Sequence, residues 1–136
     1  MNEVIFVDTT DFVDLLYTLM YLAGKFNNAD FRMFSCKGSR ISINYGDMIL
    51  CERHSKFCYI FYTDFTVLVD ARLVSISMLR SKGFLKINRT DYINPNKIRF
   101  LEGFFLHIVG LSDVRKVSMQ GFATLEKYID FCYYDI

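Results

Sequence analysis

The chain has 136 residues, of which 52% are apolar, 17% are aromatic and 23% are charged, with a formal net charge of +1. This composition excludes a disordered chain, and the near-zero net charge is not that of a globally basic nucleic-acid binder. The length fits a single domain spanning residues 1–136. Because so small a domain cannot bury this much apolar surface, we expect an exposed patch that a partner covers.

The N-terminal elements are predicted to be a short strand and a long helix. The β-branched and aromatic run Val4–Val7 predicts the strand, and polar residues 8–11 predict the start of a helix that continues to about Lys25. Asp11 and Asp14 lie on a narrow polar stripe, whereas the rest of the helix is apolar. A surface helix needs only one apolar stripe, so this helix is expected to be covered on two sides, once by another molecule.

From residue 30 to residue 69 the apolar period changes to two, which is typical of strands. Turn signals between the runs predict an antiparallel meander of four or five strands, at about 31–37, 40–45, 48–53, 57–62 and 65–69. Both faces of the later strands are apolar. The sheet is therefore expected to be covered on both sides, or covered once and used for association.

The C-terminal half is predicted to mix helices and strands. Residues 71–82 favour a helix that ends before Gly83, because glycine is common just after a helix. The remaining predictions are a strand at 85–88, a loop at 89–96, strands from 98, at 104–111 and at 114–119, and a helix from 122, although 128–134 also alternates like a strand. The predicted fold class is α+β: one domain with a largely antiparallel sheet packed with a long N-terminal helix and one or two further helices.

Thiol and imidazole groups flank one tight turn. Cys51, His54 and Cys58 carry ligand types that Zn²⁺ prefers. Their spacing differs from the paired motifs of known zinc folds, and cysteines on strands are more often buried apolar residues. We therefore expect no metal and no cofactor, with zinc at these three residues as the weaker alternative.

Catalytic and targeting motifs are absent from the sequence. The scattered glycines form no phosphate loop, and no nucleophile elbow, kinase signature or HExxH motif is present, so the chain is predicted not to be an enzyme. No sequence feature indicates a small-molecule ligand. Without a secretory n-region or an apolar run long enough for a membrane span, an intracellular protein of the cytoplasm or nucleus is expected.

The main functional hypothesis is association, either with itself or as a small subunit of a larger assembly. The candidate interface combines the first helix with aromatic residues of the meander: Phe12, Leu16, Leu19, Met20, Tyr59, Tyr62 and Phe65. The Phe-, Tyr- and Asn-rich composition resembles that of small proteins from AT-rich viral genomes. A virus-encoded protein is therefore one interpretation.

The alternative hypothesis is a nucleic-acid-binding accessory protein of replication or transcription. Six cations lie between residues 80 and 99, opposed only by Asp91, and cations pair with phosphates while aromatic rings stack on bases. The candidate residues are Arg80, Lys82, Lys86, Arg89, Tyr92, Lys97 and Arg99. The predicted element order is similar to one module of a DNA sliding clamp, a resemblance that implies helices packed on a sheet. Asp11 and Asp14 depart from the lysines and arginines that such helices present to DNA.

Overall fold

The structure, a computed structural model, describes residues 3–7, 30–34, 44–63 and 65–134. Its strands are β1 (Glu3–Val7), β2 (Asp30–Phe34), β3 (Leu50–Arg53), β4 (Phe57–Phe61), β5 (Phe65–Asp70), β6 (Leu85–Lys86), β7 (Asp91–Ile93), β8 (Ile98–Glu102), β9 (Phe105–Ile108) and β10 (Arg115–Lys116). Its helices are α1 (Ile76–Ser81) and α2 (Met119–Tyr134), with 3₁₀ turns at Ala71–Leu73 and Pro95–Lys97.

These strands form two sheets. Seven strands follow the order β2-β1-β5-β4-β3-β7-β6, and three form a second sheet in the order β10-β9-β8. In the large sheet β1 is parallel to both β2 and β5, whereas the remaining pairs are antiparallel. The second sheet is antiparallel throughout. Antiparallel hairpins need only short turns, which agrees with the turn signals between β3, β4 and β5.

The large sheet is covered on both faces. One face packs against the inner side of the small sheet and against α2. The core between them consists of Ile49, Leu50, Tyr59, Phe61, Leu68, Ile87, Ile93, Leu106, Ile108, Val117 and Leu125. The other face packs against α1 and its flanking turns. The core between them consists of Met48, Cys51, Cys58, Ile60, Val69, Ala71, Val74, Leu79, Phe84 and Tyr92. We call these the first and second cores. Two-sided burial accounts for strands that are apolar on both faces.

Helix α1 is short because its sequence provides a signal at each end. The Ser75 hydroxyl accepts a hydrogen bond from the Met78 N–H at 3.0 Å, which satisfies an amide that has no partner within the helix. Gly83 follows the C-terminal end with φ of 86°, a conformation that favours glycine. The predicted end at Gly83 is confirmed, whereas residues 71–73 form a 3₁₀ turn and not the first turn of one continuous helix.

The predicted fold class was wrong. The structure has two sheets where one was expected, the larger sheet contains parallel pairs, and no long N-terminal helix occurs among the residues described. The predicted helix at 11–25 lies outside the described residues. The sequence did not predict the parallel pairs because parallel strands are distant in sequence and are not joined by a short turn that could be recognised. The strand β7 also lies inside the predicted loop 89–96, held by pairing to β3 and β6.

None of the helices formed by the described ranges combines the length and apolar character that a bilayer-spanning segment requires. The single-domain assignment of residues 1–136 stays a prediction.

Candidate functional site

An open cleft of about 450 Å³ lies where α1, the β6–β7 connection and the N-terminus of α2 meet. It is lined by Arg80, Lys86, Asn88, Arg89, Ser118, Gln120, Gly121 and Thr124. Three of these side chains are cationic, and no acidic side chain lines the cleft among the residues that the structure describes. The first turn of α2 contains no acidic residue either. Because a helix N-terminus carries partial positive charge, the arrangement attracts anions.

The N-terminus of α2 is docked on the backbone that follows β6. The Ser118 N–H donates to the Ile87 carbonyl at 2.9 Å, and the Ser118 hydroxyl accepts from the Gly121 N–H at 3.0 Å as a helix cap. A Cβ atom at Gly121 would lie 1.9 Å from the Ile87 carbonyl oxygen. Only glycine therefore allows the helix to approach so closely, and this approach closes one side of the cleft.

The connection between β6 and β7 is shaped by one asparagine. The Asn88 Oδ1 accepts from the backbone N–H groups of Thr90 at 2.9 Å and Asp91 at 2.8 Å, a turn that side-chain amides commonly stabilise. Its Nδ2 donates to Asp91 Oδ2 and to the Lys116 carbonyl, both at 2.8 Å. The Asn88 amide is thus committed to holding the loop, and the loop presents the exposed Arg89 at the cleft.

A buried charge network supports this loop from behind. Arg115 Nη1 lies 2.6 Å from Glu52 Oε1 and 3.6 Å from Asp91 Oδ2, and both carboxylates are buried. Its guanidinium also lies 4.9 Å from the centroid of the Phe61 ring. His54 Nε2 lies 2.8 Å from the second Glu52 oxygen. Buried charges need such partners, so β3, β7 and β10 are tied together directly beneath Asn88.

The structure separates the basic residues that the sequence grouped. Arg80, Lys86 and Arg89 line the cleft, and Lys82 is exposed immediately after α1. Lys97 and Arg99 lie instead at the start of the small sheet, the first half-buried and the second exposed, and neither lines the cleft.

Tyr92, predicted to stack on bases, is 3% exposed and belongs to the second core. A ring that is this deeply buried presents no face to a ligand. The Lys86 Nζ lies 5.9 Å from the Tyr92 ring centroid, so the tyrosine supports a cleft cation from below.

The candidate interface residues fall in different surroundings. Tyr59 is 3% exposed in the first core, and Tyr62 is half-buried, with its hydroxyl donating to the Asn44 carbonyl at 3.2 Å. The side chain of Phe65 and the helix residues Phe12, Leu16, Leu19 and Met20 lie outside the described part. Self-association through this set stays a prediction.

The three candidate zinc ligands do not converge. Cys51 and Cys58 are buried thiols of the second core that form no disulfide, whereas the His54 ring packs edge-on against Tyr59 of the first core. The hydrogen bond with the Cys58 side chain, followed by burial, raises the pKa of the Cys51 thiol. Both features favour neutral core cysteines over thiolate ligands.

Sequence reasoning missed the polar half of the cleft. Asn88, Ser118, Gln120, Gly121 and Thr124 come from a turn and from the first turns of α2. The helix was predicted from Phe122, three residues after its actual start. A serine one turn before an apolar helical run is a recognisable cap signal, and it would have placed the helix N-terminus here.

Comparison with known proteins gives one structural likeness. No protein-family model matches the chain, and no curated protein matches it. A solved structure described as the LytTr DNA-binding domain of a putative methyl-accepting/DNA response regulator from Bacillus cereus is similar, with a TM-score of 0.54 and 17% sequence identity. The alignment covers 67% of this chain and 88% of that one. At this identity the likeness concerns the fold alone.

Proposed function

We propose that this chain binds nucleic acid, with DNA as the leading candidate, by holding backbone phosphates in the cleft. The observation that carries the proposal is the convergence of Arg80, Lys86 and Arg89 with the N-terminus of α2 in one cleft without lining acids among the described residues. Cations and helix N-termini are the groups that proteins most often present to phosphates. The fold likeness to a DNA-binding domain supports the choice of DNA over other polyanions.

The proposed role is one of binding, without a catalytic step, and it corresponds to the alternative hypothesis from the sequence. A DNA partner implies an intracellular location in the cytoplasm or nucleus. The main sequence hypothesis, a virus-encoded or self-associating subunit, has no support from the cleft or from the fold likeness.

Salt dependence provides the primary test. Each phosphate contact releases counterions, so three contacts predict a slope of about −2.7 for log K against log salt concentration, or about a 40-fold loss of affinity between roughly 50 and 200 mM salt. Binding of a fluorescein-labelled duplex, followed by anisotropy across this range, measures the slope. An affinity that does not change with salt would overturn the proposal.

A matched pair of arginine variants locates the site. Arg89→Ala removes one cleft cation and is expected to reduce the slope to about −1.8. Arg99→Ala removes the same charge from an exposed position outside the cleft and is expected to leave the slope near the wild-type value. Equal effects of the two substitutions would show that DNA binds to diffuse charge and not to the cleft.

A further inference from the structure

The outer face of the small sheet displays aromatic rings. Between Ile98 and Phe100 the pairing of β8 with β9 shifts by one residue, so that Ile98 pairs with Ile108 and Phe100 with His107. This shift is a β-bulge with one extra residue, Arg99, on β8. On a regular strand Ile98 and Phe100 would face the same side, but because of the bulge Ile98 packs on the first core and Phe100 lies on the outer face. Phe100 and Phe105 are 45% and 47% exposed.

Two of the rings on this face are already stacked. The Phe100 and His107 rings lie 4.1 Å apart between centroids, with an interplanar angle of 16°. Phe105 lies two residues before His107 on β9 and therefore on the same face, about 7 Å along the strand. We call Phe100, Phe105 and His107 the aromatic platform.

The register places charge beside the platform. Lys116 of β10 and Glu102 of β8 are both exposed register partners of Phe105. The backbone carbonyl of Lys116 also accepts the hydrogen bond from Asn88 Nδ2, so the platform and the cleft meet at β10. Lys116 suits a ligand that carries phosphates next to flat bases, whereas the Glu102 carboxylate on the other side of Phe105 opposes such a ligand.

We propose that the aromatic platform stacks unpaired bases of a single-stranded nucleic acid, with Lys116 on its phosphate. This inference rests on the proposed function and adds a second surface with a different ligand preference. Exposed aliphatic side chains make apolar contacts that have no preferred orientation. Parallel aromatic rings at stacking distance instead favour a further flat ring that stacks on them. Base stacking on protein aromatics is tolerant of sequence, so a non-specific single strand is the expected ligand.

Phenylalanine-to-leucine variants separate stacking from simple apolar contact. The double variant Phe100→Leu/Phe105→Leu keeps apolar side chains and loses both π-faces, whereas Phe100→Tyr/Phe105→Tyr keeps the rings. The probes are a labelled oligothymidylate of about 12 nucleotides, within the usual site sizes of single-strand binders, and the duplex used for the cleft. The leucine variant is expected to bind the single strand about 10- to 100-fold more weakly, with duplex affinity unchanged. The tyrosine variant should retain both affinities.

The Glu102 carboxylate, which has the opposite charge to Lys116, allows a test in which binding is expected to increase. Glu102→Gln removes the carboxylate beside Phe105 and is expected to strengthen single-strand binding, while Lys116→Gln weakens it. The four substituted positions are all exposed: Phe100, Glu102, Phe105 and Lys116. The melting temperatures of the variants should therefore match that of the wild type.

Three results would overturn the platform. One is a leucine variant that binds the single strand as tightly as wild type. If Arg89→Ala still weakens duplex binding in that case, the proposed function of the cleft is retained. Another is a wild-type dimer in light scattering that the leucine variant converts to a monomer, which shows that a second copy covers the face. A wild-type protein that binds neither probe would remove the proposed function as well.

Discussion

The close approach of α2 to the backbone at Ile87 makes Gly121→Ala the most informative substitution. The added Cβ would lie 1.9 Å from the Ile87 carbonyl oxygen and 2.5 Å from its carbon, so the distance to the oxygen must increase to at least 3.0 Å. The obstructing atoms are backbone, and the helix itself must therefore shift. The shift also stretches the 2.9 Å hydrogen bond from the Ser118 N–H to the same carbonyl.

The expected cost follows from these two effects. Overpacking costs about 1–3 kcal/mol and a weakened hydrogen bond about 1 kcal/mol, whereas alanine in a helix returns about 1 kcal/mol relative to glycine. The net loss of about 1–3 kcal/mol lowers the melting temperature by roughly 4–12 °C for a domain of this size. Because α2 forms one side of the cleft, duplex affinity measured well below the melting temperature should also fall.

Thermal unfolding followed by circular dichroism measures the melting temperature, and anisotropy measures the duplex affinity. Gly46→Ala is the matched control, because a Cβ at Gly46 meets only Asn44 Oδ1 at an ordinary 3.4 Å. Its melting temperature should stay close to that of wild type. If Gly121→Ala melts at the same temperature as Gly46→Ala, the close approach of α2 to Ile87 does not require glycine at position 121.

Two further predictions concern the loop held by Asn88 and the buried thiol of Cys51. Asn88→Ala removes five hydrogen bonds that hold the loop, so we expect a loss of about 2–4 kcal/mol in urea denaturation and a duplex affinity reduced towards that of Arg89→Ala. The exposed Asn96→Ala should change neither, and a similar effect of both asparagine substitutions would contradict the role of the loop. The raised pKa of the Cys51 thiol means that the folded state keeps a proton that the unfolded state loses above about pH 8.5, so stability falls by about 1.4 kcal/mol per pH unit as the pH rises beyond that value. Cys51→Val should flatten this alkaline decline in urea midpoints, and an unchanged slope would count against a protonated buried thiol.

The local patterns of the sequence were informative where structure depends on neighbouring residues. The alternation through 57–62 predicted a strand in a sheet covered on both faces, or covered once and used for association, and the two cores show the first of these. Gly83 predicted the end of α1. The density of cations between 80 and 99 indicated the region of the chain that supplies the cleft cations Arg80, Lys86 and Arg89. In each case the signal lies within about one turn or one strand of the feature that it predicts.

Features that depend on distant partners were not predicted. Asp91–Ile93 reads as part of a polar loop around Pro95, yet it becomes a buried strand because β3 and β6 supply its hydrogen bonds. That pairing moved Tyr92 from a predicted ligand contact into the core. The parallel pairing of β1 with β5 has no local signature at all.

Residues that are close along the chain specify the two-residue alternation of the strands, the C-terminal end of α1 and the cation-rich segment, and all three could therefore be read from the sequence. Which of the cations converge depends on how distant parts of the chain pack together. Arg80, Lys86 and Arg89 share a cleft with the N-terminus of α2, whereas Arg99 lies on another sheet. This convergence requires long-range strand pairing and a backbone contact at Gly121, and neither produces a periodic pattern in the sequence.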